Sequence, residues 1–167
     1  MGSSAQGTRQ SGFTLVEVLV ALVVLSIGLL GMAKLVMLTA HANDSAYLRS
    51  QATALAYQVL DNMRANLGGA TAQGYVTALG AMPAAPATCV GTVCTNPQLG
   101  LWDVYSWKQH LSTALPSGTG SIATSATFPV TATIIVRWDD SVAQSAFRAV
   151  AAGVAAPMTV TLETVLQ

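Results

Sequence analysis

The sequence predicts an α+β fold in which a long N-terminal helix, apolar and then amphipathic, packs on a small C-terminal antiparallel sheet. Three observations carry that prediction. Residues 18–33 hold no charged side chain, residues 13–67 hold no proline, and much of the last third alternates apolar with polar residues. A long proline-free stretch rich in helix formers reads as helix, whereas alternation with period two reads as half-buried strand.

The helix comes first. Residues 13–38 suffice to cross a hydrocarbon core of about 30 Å, so this part is expected to be transmembrane. Run unbroken over 13–67, the helix would be roughly 80 Å long at about 1.5 Å per residue. Gly28 and Gly31 interrupt the apolar half, but lipid tolerates them, and their spacing makes no G-x-x-x-G dimer face. Over 39–67 the character changes. Leu48, Ala52, Leu55, Val59 and Met63 recur at steps of three and four, with Arg49, Asp61 and Arg64 between them. That is one apolar stripe with a solvated face opposite. Gly68-Gly69 is expected to end the helix, leaving 68–167 as a globular head.

One residue does not suit an anchor. Glu17 stands at the head of the apolar run, where a carboxylate costs about 2.5–3.5 kcal/mol if carried to a helix centre. A chain needing only an anchor would not carry it. It follows Gly12-Phe13-Thr14-Leu15-Val16, and Gly12-Phe13-Thr14-Leu15-Val16-Glu17 resembles the class III signal of type IV prepilins and pseudopilins. The resemblance implies a type IV pilin-like fold and a leader over 1–12. It implies cleavage between Gly12 and Phe13 by the prepilin peptidase, N-methylation of Phe13, and retention of Glu17 to register subunits in the membrane. The new amino group on Phe13 would be cationic, its pKa lying near 8. One helical turn from Glu17, it can pair with that carboxylate in the same or an adjacent subunit. A head-to-tail contact that does not close builds a helical filament. The alternative is an ordinary signal anchor with a chance glutamate.

Composition bounds the rest. At 167 residues, 52% of them apolar and 8% charged, the chain makes one domain plus one anchor. No second stretch reaches membrane length, so a single pass is expected. Seven basic and seven acidic residues balance, and loss of the leader removes Arg9. A nearly neutral product has no basic stripe for nucleic acid. The positive-inside count does not decide orientation, because Lys34 and Arg49 lie beyond the charge-free run. The leader has no long apolar region ending in an A-x-A site, unlike a secretory signal peptide. By resemblance the N-terminus is cytoplasmic and the head periplasmic, in the inner membrane and later in a pilus fibre or its tip. Cys89 and Cys94 fit that compartment and are read as a disulfide. Two free thiols or a metal site are the alternatives.

Residues 70–100 are rich in Ala, Gly, Thr and Pro and are expected to form a long loop stapled by the cysteines. A short helix is predicted over 101–115, with Leu101, Val104, Lys108, Leu111 and Leu115 on one face and Trp102 and Tyr105 widening it. Pro116 stops it, and Ser117-Gly118-Thr119-Gly120 reads as a turn. An antiparallel sheet is predicted over 121–167, with strands at 121–125, 129–138 and 158–166. Asp139-Asp140-Ser141 reads as a turn, and 145–150 is ambiguous between strand and helix within an unassigned stretch of 143–157.

The head offers weak candidates for chemistry. Asp139 and Asp140 supply too few ligands for calcium and suit a turn. Trp102, Trp107 and Trp138 could make a binding surface, although core packing explains them more simply. There is no G-x-S-x-G, His41 lies near the membrane and His110 on the short helix, so no catalytic residue, metal or cofactor is assigned. Trp107-Lys108, Leu115-Pro116-Ser117-Gly118, Val136-Arg137-Trp138-Asp139-Asp140 and Thr161-Leu162-Glu163-Thr164 resemble segments of the type IV pilus modification (PilV) family of minor pilins. That resemblance implies a structural protein that starts pilus assembly in a tip complex and supports adhesion and twitching motility. The implied partners are the prepilin peptidase, other minor pilins, the major pilin, the inner-membrane assembly platform and membrane lipid. The I-type minor pseudopilin of type II secretion shares the N-terminal signal, and a membrane-anchored periplasmic binding module is the alternative outside the family.

Overall fold

A computed structural model describes residues 12–80, 82–86, 89–141, 143–144 and 156–166. Residues 1–11 of the expected 1–12 leader and the ambiguous stretch 145–150 lie outside the described residues. The chain divides into two compact units, 1–40 and 41–167. In the first, helix α1 (Leu15–Ala65) begins with its apolar side chains outward: Leu15, Val18, Leu22, Leu25 and Leu29 are all exposed. It is long and apolar enough to cross a membrane, with a window of mean hydropathy 2.6.

The second unit holds the rest of α1, the helices α2 (Leu67–Thr71) and α3 (Asn96–Ala114), and a three-stranded antiparallel sheet. The strands are β1 (Thr119–Thr124), β2 (Val130–Trp138) and β3 (Met158–Leu166), in the order β1-β2-β3. Ile122 pairs with Ile134 across β1 and β2, and Ile134 with Leu162 across β2 and β3. Alternate residues of β2 (Val130, Ala132, Ile134, Val136 and Trp138) are buried. The sheet's buried side chains form one core with the α1 stripe of Ala52, Leu55, Val59 and Met63 and with Val104, Trp107, Leu111 and Leu115. The expected α+β arrangement, a long helix on a small antiparallel sheet, is therefore present. Gly120 lies where an added Cβ would meet Trp107, Leu111 and the Ile135 carbonyl. Only a hydrogen fits there.

Several local expectations need correction. The glycine pair does not terminate α1, which ends at Ala65; Gly68 and Gly69 lie inside α2. A Cβ on Gly68 would meet the Asn96 side chain, and one on Gly69 would meet Asn66 and the Asn96 carbonyl. The glycines serve close approach to α3 rather than a stop. The predicted loop is partly structured and packed. Tyr75 is fully buried, and Thr77 exchanges two backbone hydrogen bonds with Ile122, both at 3.0 Å. Helix α3 starts at Asn96, not 101, because Thr95 and Gln98 form a capping box with Pro97 in the first turn. Leu101 is exposed, not on the buried face. Thr119 and Gly120 open β1 instead of closing a turn.

Candidate functional site

The N-terminal stretch is built around one helix start. The Thr14 carbonyl accepts the Glu17 N–H at 3.1 Å and the Val18 N–H at 3.3 Å. The Thr14 hydroxyl oxygen also accepts the Glu17 N–H, at 3.3 Å. Threonine so placed satisfies donors that the first turn leaves orphaned. Glu17 lies in that first turn, where the helix dipole favours negative charge. Phe13, Glu17 and Ala21 follow one another at four-residue steps, and with Val18, Leu22 and Leu25 they line a shallow apolar cleft. Phe13 is 84% exposed. An aromatic residue, a carboxylate and an otherwise apolar helix face are thus brought together at the start of α1.

The other candidates separate. Cys89 and Cys94 are joined as a disulfide with Cα atoms 5.7 Å apart. Closing so short a loop contributes about 2 kcal/mol on the chain-entropy estimate. Trp107 and Trp138 are buried in the core, whereas Trp102 leans on Tyr105 with ring centroids 6.2 Å apart. The tryptophans do not form one surface. Asp139 accepts the Ser141 N–H at 2.8 Å, as turn chemistry requires. Asp140, by contrast, is buried and accepts the Ser45 hydroxyl at 2.6 Å, which ties the sheet end to α1. Beyond the turn expected there, Asp140 is thus a structural anchor.

Sequence reasoning missed a polar cluster in the head. The Tyr75 hydroxyl donates to Asp103 at 2.5 Å and lies 3.2 Å from the Asn62 carbonyl. Asn66 reaches the same hydroxyl at 3.3 Å and donates to the Asn96 carbonyl at 2.8 Å. The Asn66 side chain also accepts the Gly69 N–H at 3.1 Å. The cluster therefore pins the ends of α1 and α2 to α3. Burial raises the Asp103 pKa, and the hydrogen bond from Tyr75 opposes that rise. Tyr75 itself is pushed up, first by burial and then by its bond to Asp103. Lys108 is buried too, with its ammonium donating to the Ala78 carbonyl at 2.6 Å and its pKa lowered by burial. These contacts hold the connecting segment down on α3.

Tyr75→Phe is expected to cost about 1–3 kcal/mol at neutral pH, because it leaves a half-buried carboxylate without its donor. The sign with pH follows from Asp103. A carboxyl whose folded pKa is raised contributes stability that is full below its unfolded pKa and lost as pH rises through the folded one. Removing the phenol lifts that folded pKa further, so more stability is lost above the ordinary carboxylate range. Urea denaturation of the full chain in detergent should show the variant's deficit shrinking below about pH 4. An equal deficit at acid and neutral pH would mean that the phenol does not act on Asp103.

Residues 7–33 match the family model described as the prokaryotic N-terminal methylation motif. The chain has a prepilin-like N-terminus. The match spans the end of the expected leader, the Gly12–Glu17 motif and the first part of α1, so it covers the helix start described above and not the head. No curated protein and no solved structure matches the chain significantly. The N-terminal motif, the membrane-length apolar helix, the head's disulfide and the helix-on-sheet fold agree with a protein of type IV pilin or pseudopilin type.

Proposed function

We propose that this chain is a minor pilin of the PilV kind, which helps start type IV pilus assembly in a tip complex with other minor pilins. One observation supports the reading: a methylation motif heads a helix long and apolar enough to span a membrane, with Glu17 in its first turn. On this reading the prepilin peptidase cuts between Gly12 and Phe13, and Phe13 is then methylated. Before assembly the subunit sits in the inner membrane with its head in the periplasm, and afterwards at or near the pilus tip. Its role is structural: the helix supplies the filament contact and the head the exposed surface. Major pilin and the assembly platform are the further partners, and adhesion and twitching motility the processes served.

A second reading is favoured by the same match, because the motif region is what pilins and pseudopilins share. In it the chain is a minor pseudopilin of type II secretion. Mass spectrometry of the N-terminal peptide tests what both readings require. In cells with the peptidase the mature chain should begin at methylated Phe13, and in cells without it the leader should remain. A leader retained in both would overturn both readings. A clean deletion then separates them: lost surface pili and twitching support the minor pilin, whereas lost secretion with normal pili supports the pseudopilin.

A further inference from the structure

The second unit has a cleft of about 460 Å³ beside the C-terminal half of α3, a volume within the roughly 300–1,000 Å³ of small-molecule sites. Lys108 and Ser112 line it from α3, Ser117 and Thr119 from beyond the helix end, and Gly80 and Met82 from the segment that precedes the disulfide. That segment is fastened at two points. The Ala78 carbonyl accepts the Lys108 ammonium at 2.6 Å, and the Gly80 N–H donates to the Thr119 hydroxyl oxygen at 2.8 Å. The walls are therefore tied to each other before anything enters.

Lys108 carries the only charge among these lining residues, and only 4% of its surface is exposed. An anion that meets a cation so poorly hydrated is held more strongly than at an exposed lysine. The hydroxyls add directional contacts. The Thr119 oxygen already accepts the Gly80 N–H, which leaves its proton to be donated. Ser112 donates to the Gln109 carbonyl at 2.9 Å and offers its lone pairs. Ser117 holds φ at 52°, a left-handed backbone that costs a non-glycine residue about 1–3 kcal/mol and is found most often at binding sites. Gly118 keeps that turn close, because an added Cβ there would meet the Leu111 carbonyl. One cation matches one negative charge, and hydroxyls beside the Met82 side chain match a hydroxyl-bearing carbon skeleton rather than a bare ion.

We propose that this cleft binds a small hydroxylated carboxylate of the sugar-acid kind, its carboxylate on Lys108 and its hydroxyls on Ser117 and Thr119. The cleft belongs to the head, so the site is independent of how the N-terminus is processed. The full chain in detergent, with isotope-labelled methionine methyl groups, is titrated with sodium glucuronate and followed by NMR. The Met82 methyl signal, assigned with Met82→Leu, should move and saturate, while that of the buried Met63 stays. Glucose, which lacks the charge, should bind at least about tenfold more weakly, and sodium chloride at equal ionic strength should leave Met82 in place. Ser112→Glu sets a carboxylate at the cleft from an exposed helix position and should weaken glucuronate by about tenfold or more, whereas Ser112→Ala should change it little. Lys108→Met should abolish binding. Its urea midpoint reports whether the head still folds, and if it does not, Ser112→Glu decides. A still Met82 signal, an equal response to glucose, or an affinity indifferent to Ser112→Glu would overturn the site. An equal response to sodium chloride would mean an adventitious ion only and would overturn it too.

Discussion

Trp107→Ala is expected to destabilise the head by about 3–5 kcal/mol, the range for emptying a large aromatic site in a core that relaxes only partly. The side chain is 2% exposed, and its indole N–H donates to the Leu55 carbonyl at 2.9 Å. It therefore fastens α3 to α1 while filling the space that Gly120 leaves on β1. Domains of this size hold only about 5–15 kcal/mol in total, so one substitution removes a large share. Trp107→Phe keeps most of the apolar body and loses the donor, and should cost less than half as much. Gly120→Ala attacks the same contact from the other side by overpacking, at about 1–3 kcal/mol or more. Urea midpoints of the full chain in detergent give all three. A Trp107→Ala midpoint equal to that of the parent would mean that the α3–α1 contact contributes nothing to the head.

What could be read from sequence, and what could not, follows from the range of the interactions. The α1 stripe, β2 and β3 were legible because each repeats a burial requirement every three to four or every two residues. Their registers against one another are tertiary, yet the buried face of each was already marked. The start of α3 was missed for a different reason. Asn96, Pro97 and Gly100 look like loop residues by composition, and Pro97 reads as a breaker unless Thr95 and Gln98 are recognised together as a capping box. The glycines of α2 carried a stop signal that the neighbouring Asn96 and Asn66 side chains override. No local pattern could announce the Tyr75–Asp103 bond, which joins residues 28 apart. The N-terminal motif is the opposite case. Its glycine, aromatic and carboxylate lie within six consecutive residues at one helix start, so the chemistry is written locally and the fold only displays it.

Glu17→Gln should leave processing intact and stop assembly. On the proposed reading, cleavage between Gly12 and Phe13 would be read from the residues flanking the cut. The substituted side chain keeps the length of the original, and the helix-start hydrogen bonds use the backbone N–H at that position, which is unchanged. What the amide loses is the charge. An amine or ammonium brought alongside from another subunit then has no counter-ion in hydrocarbon. Leaving such a charge unpaired costs up to about 2.5–3.5 kcal/mol, the value at a helix centre, so the association constant falls by at most on the order of a hundredfold. The variant should accumulate in the membrane, begin at Phe13 by mass spectrometry, and be nearly missing from sheared filaments. Glu17→Asp is the informative partner, because it keeps the charge but shortens the reach by one methylene, and should assemble at an intermediate level. If Glu17→Gln entered filaments as well as the parent, the carboxylate would have no part in joining subunits. Its place at the head of an otherwise apolar helix would then need a reason confined to the leader peptidase or the methylation step.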